Sequence, residues 1–306
     1  MIYLIGSRLV QALFVLFGTT LIVFMLINLA GGDIALNLLP DTASPEVVQA
    51  YKVKLGLDQP PVVQYATWLG GVLTGHFGNS FLTNTPAMTM VLDRLPATVQ
   101  LATAALLIAL AVSLPLGILA AVKRGSIWDR ASMGLALAGQ SIANFWLGLM
   151  LILFFAVFLR VLPVSGRDEP LSLVLPAIAL ATGPMAQFSR LIRSGMLEIL
   201  NEDYVRTAHA KGLSERAVVN KHALRNALLP FITIVGLEFG TLLNGSVVIE
   251  TVFAWPGIGY LLVGSLGARD LPVIEAGVLL VAVIYVGLNL IVDILYTVID
   301  PRVRYR

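Results

Sequence analysis

Long apolar runs alternate with short charged connections along this chain, and that alternation predicts helices rather than strands. About 20 consecutive apolar residues suffice for a helix to cross a bilayer. Six stretches qualify: Leu9–Ala30, Ala97–Val122, Ala131–Leu159, Leu171–Ser189, Asn226–Ile249 and Leu271–Val292. The first four contain no charged residue, Glu238 interrupts the fifth, and Glu275 lies near the start of the sixth. The third is longer than a bilayer requires, so it is expected to tilt or project beyond the lipid.

Composition agrees. Hydrophobic residues make up 58% of the 306 and charged residues only 12%, about half the charged fraction of a soluble domain. The fold class is therefore an all-α integral membrane protein. A net charge of +2 gives no reason to expect a nucleic-acid partner. The absence of cysteine excludes disulfides and thiolate chemistry, and His76, His209 and His222 never fall at a metal-ligand spacing. No catalytic residues are expected. The first apolar run is long enough to span and no small-residue cleavage site follows it, so no cleaved signal peptide is expected.

Of the 20 Lys and Arg residues, only Lys52, Lys54, Arg94, Arg160, Arg167 and Arg269 fall on one side of a six-span topology. The positive-inside bias then places both termini in the cytoplasm. The long outer loop, Gly31 to Pro96, carries its own structure. Ser44-Pro45-Glu46 opens a helix in the order cap, N1 proline and first-turn acid. Gly56 closes that helix after Leu55. A second apolar stretch runs over Val62–Leu73, and Gly75, Gly78 and Asn79 mark turns. This reads as a small cap on the extracytoplasmic face.

On the cytoplasmic side, Glu202–Pro230 (EDYVRTAHAKGLSERAVVNKHALRNALLP) reads as helix, tight turn, helix. Gly212 ends the first helix, because glycine adopts the left-handed cap without steric cost. Ser214 starts the second, its hydroxyl accepting from a helix N–H, and Leu229-Pro230 enters the next span. Ala217, Leu224 and Leu228 give the second helix an apolar stripe. Seven Lys or Arg between Arg190 and Arg225 face four acids, Glu198, Glu202, Asp203 and Glu215. So ordered a polar segment points to a docking partner.

Within the spans, Pro115, Pro176, Pro184 and Pro230 each remove a backbone donor, which a mobile bundle would exploit and membrane helices also tolerate. Glu238, with Asn244, is a candidate for a translocation pathway; the alternative is a carboxylate paired with a neighbouring helix. Glu275 and Asp293 lie near span ends, where snorkelling or interfacial exposure explains them. Asn28, Gln140, Asn144 and Gln187 suit interhelical hydrogen bonds. Trp255-Pro256-Gly257-Ile-Gly259 comes after the fifth span on the outer side, as a turn with an interfacial tryptophan or as a substrate contact.

Six motifs occur in order. They are Leu55-Gly-Leu-Asp-Gln-Pro60, His76-Phe-Gly-Asn-Ser80, Tyr204-Val-Arg-Thr-Ala-His-Ala-Lys-Gly-Leu-Ser214, His222-Ala-Leu-Arg-Asn-Ala-Leu-Leu-Pro230, Phe253-Ala-Trp-Pro-Gly-Ile-Gly259 and Asp300-Pro-Arg-Val-Arg304. Together they resemble the permease subunits of binding-protein-dependent ABC importers, in the branch serving dipeptides, oligopeptides, glutathione and nickel. The resemblance implies a type I (MetI-like) bundle of six transmembrane helices in a bacterial inner membrane. It assigns residues 1–96 to the first helix and outer loop, and 97–306 to the ABC transmembrane domain with a coupling loop at about 198–228. That loop carries a motif whose helix enters a cleft of the ATPase subunit. The implied contact residues are Tyr204, Arg206, Thr207, Ala208, Lys211, Gly212, Ser214 and Arg225. Arg206-Thr207-Ala208 replaces the usual Glu-Ala-Ala.

The resemblance also implies a second, related permease subunit, two ATPase subunits and an extracytoplasmic substrate-binding protein facing Trp255, Pro256 and Gly257. No Lys here precedes Ser or Thr, so the chain lacks a P-loop; ATP and Mg are expected on the partners, and no cofactor in this chain. The substrate expected is a dipeptide or oligopeptide, with a nickel chelate or glutathione as alternatives. An ion-coupled secondary transporter is the rival class, but it needs coupling acids within the spans, where only Glu238 qualifies.

Overall fold

The computed structural model of the chain describes residues 2–29, 44–55 and 58–299. Gly56 and the Asp300–Arg304 motif lie outside the described residues, as does the side chain of Asn28. Among the described residues the secondary structure is helical, apart from an isolated antiparallel bridge between Asn79 and Pro86. Among the described residues, five helices are long and apolar enough to cross a membrane, or six if one bent pair counts as a span.

The chain forms two compact units, Met1–Pro96 with Tyr260–Val286, and Ala97–Gly259 with Gly287–Arg306. The first holds α1 (Ile2–Leu29), α2 (Pro45–Leu55) and α3 (Pro61–Leu73). Both short helices begin at a proline, Pro45 as expected and Pro61 one residue before the expected apolar stretch, where a missing N–H costs nothing. Tyr65 and Trp68 of α3 pack on Phe17 and Phe24 of α1, and the Tyr65 hydroxyl lies 2.9 Å from that of Thr20. The turn after α3 uses Gly75 and Gly78 with positive φ. Its Ser80 hydroxyl and Phe81 N–H both donate to Asp270, which lies between α10 (Ile258–Gly267) and α11 (Leu271–Ile299). The next helix, α4 (Ala87–Val122), starts ten residues before the expected span, because Pro86 opens it and its first turns are already apolar.

The second unit is centred on α7 (Val174–Leu200), preceded by a 3₁₀ turn at Pro170–Leu173. Small residues are buried on two opposite sides of α7 (Ala177 with Ala181, Ala179 with Ala186), which lets neighbouring backbones approach. Around it pack α5 (Ile127–Ser141), α6 (Asn144–Leu151) and α9 (Leu224–Val252). Pro176 falls in the first turn of α7, where no donor is needed, whereas Pro184 and Pro230 lie inside helices. The expected fourth span stops at Ser189, but α7 continues to Leu200. Its Arg193 makes a two-pronged ion pair with Asp129 of α5, at 2.6 and 2.9 Å.

The third apolar stretch departs from expectation. It is two helices bent by 100°, not one tilted span. Ile142 and Ala143 are extended between them. Ser141 turns its hydroxyl back onto Leu137 C=O, a bond that competes with helix continuation. Asn144 accepts from Thr182 of α7 at 3.4 Å, as an interhelical polar contact should, while Gln140 and Gln187 are exposed. After Leu151 the helix widens into a π-helix over Ile152–Phe158.

Candidate docking segment and a buried carboxylate latch

The segment expected to dock a partner forms α8 (Asp203–Ala210) and a glycine turn. Gly212 has φ +77°, and two bonds close the turn: Gly212 N–H to His209 C=O (2.9 Å) and Leu213 N–H to Ala208 C=O (3.4 Å). Ser214 occupies the cap position by backbone angle, but its hydroxyl makes no capping bond, contrary to expectation. Its carbonyl instead accepts from Val218 N–H at 3.0 Å.

The stretch after Ser214 is not a separate helix. A short α turn at Glu215–Ala217 runs into a π-helix over Val218–Ala223 and straight on into α9. The helical run therefore passes Leu229-Pro230 unbroken. The π turn also shifts the buried stripe from Ala217, Leu224 and Leu228 to Val218, Ala223 and Ala227. Five residues separate the first two of these, the π spacing.

Val205, Ala208 and Val218 form a small core, with Ile199 and Leu200 packed against it. Of the implied contact residues, Ala208 faces inward, while Tyr204, Arg206, Thr207, Lys211, Gly212, Ser214 and Arg225 are exposed. Leu213 stands at the tip of the turn, 41% exposed. Asn226 donates to the Tyr204 hydroxyl at 2.9 Å and to His222 C=O at 3.0 Å, tying α8 to the foot of α9. Arg206 and Asp203 make an exposed ion pair at 3.6 Å, of little energetic weight.

Glu238 is half-buried and Asn244 exposed on α9. Six residues apart, they point about 120° away from each other, so the fold does not bring them onto one face. A second acid on α9 escaped sequence reasoning: Glu250 is fully buried. Its Oε1 accepts from Thr98 Oγ1 (2.7 Å) and Ser246 Oγ (3.0 Å), and Thr98 Oγ1 in turn accepts from Ile258 N–H (2.9 Å). Gly257 lies against the same carboxylate; a Cβ there would sit 2.5 Å from Glu250 Oε2. Gly259 is equally constrained by the backbone of Val247. The motif's glycines are thus set by close approach.

Trp255 belongs to this latch and is only 1% exposed, so it is neither an interfacial anchor nor an outward contact of this chain. Its indole N–H donates to Ala97 C=O at 2.9 Å, and the Arg167 guanidinium lies 5.8 Å from the ring centroid. Gly257 is buried too, and Pro256 half-buried. The physical reason is the helix end. Ala254 adopts φ +46° and Trp255 N–H bonds Glu250 C=O (2.8 Å), folding the motif back onto α9 and α4. An acid seven residues before Gly257, at the end of an apolar run, was the signal available in the sequence.

Comparisons with known proteins agree with this architecture. Residues 1–102 match the N-terminal model of the binding-protein-dependent transport system membrane components, and residues 113–305 match the model of the inner membrane component itself. A peptide transport system permease protein of Brucella abortus (strain 2308) is 44% identical, over 99% of each chain. The dipeptide transport system permease protein DppB of Escherichia coli (strain K12) is 41% identical, over 94% of this chain and 95% of its own. Among solved structures, the fold is similar to a chain of the MetNI methionine ABC transporter in an inward facing conformation, at a TM-score of 0.57 and 18% identity over 70% of this chain and 97% of that one. These matches, together with the apolar helices, make the chain a member of the binding-protein-dependent transport system inner membrane component family, a multi-pass permease of ABC importers in the inner membrane.

Proposed function

We propose that this chain is one half of the translocation pathway of an ATP-driven importer of dipeptides and oligopeptides. The reading for peptides rests on the relatives named for peptide and dipeptide transport. In this reading both termini are cytoplasmic, and a related but distinct permease supplies the other half. Two ATPase subunits bind ATP and Mg and seat the exposed turn between Tyr204 and Ser214, and an extracytoplasmic binding protein delivers the substrate.

One observation carries the mechanical part. The exposed turn at Gly212 sits on its own apolar core and is joined by an unbroken helical run to α9. A push on that turn reaches the membrane span as rigid-body motion rather than being lost in a slack loop. Closure of the ATPases about nucleotide then moves the Tyr204–Arg225 region as a lever, alternating access to a pathway on which Glu238 is a candidate lining residue.

The test is purification of the intact complex from its native membrane, identification of its subunits, and uptake measured in vesicles. Recovery of P-loop ATPases and a second permease, with ATP-dependent uptake of a labelled dipeptide, is the expected result. ATP-dependent uptake of a nickel chelate or glutathione instead would overturn the substrate. Uptake by the chain alone, driven by an ion gradient without ATP, would overturn the class.

A further inference from the structure

From Gln59 to Leu92 the sequence contains no Asp, Glu, Lys or Arg. A water-exposed segment of that length ordinarily carries about eight. Helix α3 lies within this stretch and none of its residues is buried, although it is almost wholly apolar. Val62 is 78% exposed and Leu73 80%. A helix this apolar, with so much of its surface left exposed, is out of place in water.

Its packing partners fix its depth. Tyr65 touches Phe17, Thr20 and Phe24 of α1, whose span runs over Gly6–Met25. At 1.5 Å per residue, Thr20 lies about 8 Å and Phe17 about 12 Å inside the end of that span. The side chains of α3 that meet them are equally deep. The polar groups at this level are satisfied internally: Trp68 donates its indole N–H to Glu275 of α11 at 2.6 Å, and Tyr65 pairs with Thr20. Such pairing is what a carboxylate and a phenol need where water is scarce. On α1 itself Phe14, Phe17 and Ile22 are likewise exposed.

We infer that α3 (Pro61–Leu73) is sunk in the acyl region of the leaflet on the side where α1 ends, lying against lipid rather than standing in water as part of a cap. The chain leaves the membrane after α1, forms α2 with its Glu46 and Lys52 outside, and dips back before α4 begins. Trp68 and Tyr65 anchor the helix to α1 and α11 from within the bilayer.

The chain has no cysteine, so single labels placed in it are unambiguous. Val62→Cys and Leu73→Cys, each carrying a nitroxide, are introduced into the full transporter complex reconstituted in lipid vesicles. Collision rates with molecular oxygen and with nickel(II) ethylenediaminediacetate are then measured. Phe14→Cys serves as the lipid reference and Glu46→Cys as the aqueous one. The expected oxygen-to-nickel ratio at both α3 positions is several-fold above that at Glu46 and close to that at Phe14. A ratio matching Glu46 places α3 in water and overturns the inference. Low access to both reagents, which means that another protein chain covers the helix, overturns it equally.

Discussion

Replacing Gly257 by alanine tests the latch at its tightest point. The new Cβ would lie 2.5 Å from Glu250 Oε2, and ordinary contact requires the carboxylate to retreat by about 1 Å. It has no slack, because Oε1 is held by Thr98 at 2.7 Å and Ser246 at 3.0 Å. A shift of that size stretches the Thr98 bond beyond useful length. Overpacking costs about 1–3 kcal/mol, and a buried hydrogen bond left unmade about 1–3 kcal/mol. Gly257→Ala should therefore destabilise the fold by roughly 2–6 kcal/mol. Unfolding in mixed detergent micelles, followed by tryptophan fluorescence, reads the change, since Trp255 is part of the same latch. Gly264→Ala is the control: nothing lies within 4 Å of its added methyl, so it should be neutral or slightly stabilising. The decisive comparison is the double variant. Glu250→Ala removes the obstacle, so adding Gly257→Ala to it should cost less than about 1 kcal/mol further. Equal costs of Gly257→Ala in both backgrounds would refute the steric account.

Four further outcomes are expected from the geometry. Gly212→Val meets no neighbour but forces a β-branched residue to φ +77°, costing about 1–2 kcal/mol locally. The chain should still insert in the membrane while ATP-driven uptake is lost, and normal uptake would count heavily against the lever. Tyr204→Phe removes the 2.9 Å bond to Asn226, worth about 1 kcal/mol; it should lower the peptide transported per ATP hydrolysed without changing expression, and an unchanged ratio refutes the joint. Asp129→Ala and Arg193→Ala each break the two-pronged ion pair and should cost about 3 kcal/mol, whereas the double variant should fall short of the sum by more than 1 kcal/mol or so. Ala254→Gly relieves the left-handed residue at the end of α9 and should raise stability by about 1 kcal/mol, measured in the same unfolding assay.

The spans were legible because burial in lipid is a composition signal, and the start of α2 at Pro45 because proline's missing donor restricts where a helix starts. Gly212 was legible for a similarly local reason. The features that escaped depended on partners distant in sequence or on a change of helical period. The bend at Ile142–Ala143 carries no glycine or proline, so apolarity ran through it uninterrupted. The π turn at Val218–Ala223 broke the assumption of a 3.6-residue period and moved the predicted stripe by one residue. Trp255 looked like an interfacial tryptophan because its acceptor, Ala97 C=O, is 158 residues away. Glu250 stood just past the assumed end of a span, and its partner Thr98 is as remote.

The π turn has an evolutionary corollary. A helix that widens to i→i+5 bonding for one turn accommodates one residue more than an α-helix of the same phase. Val218–Ala223 can therefore absorb a one-residue insertion or deletion while α8 and α9 keep their relative facing. An indel in the α-helical part of α9 would instead swing the docking turn by about 100°. Single-residue length differences among functional relatives should accordingly gather in this turn, and grafted docking segments should keep their bearing only when the splice is made there.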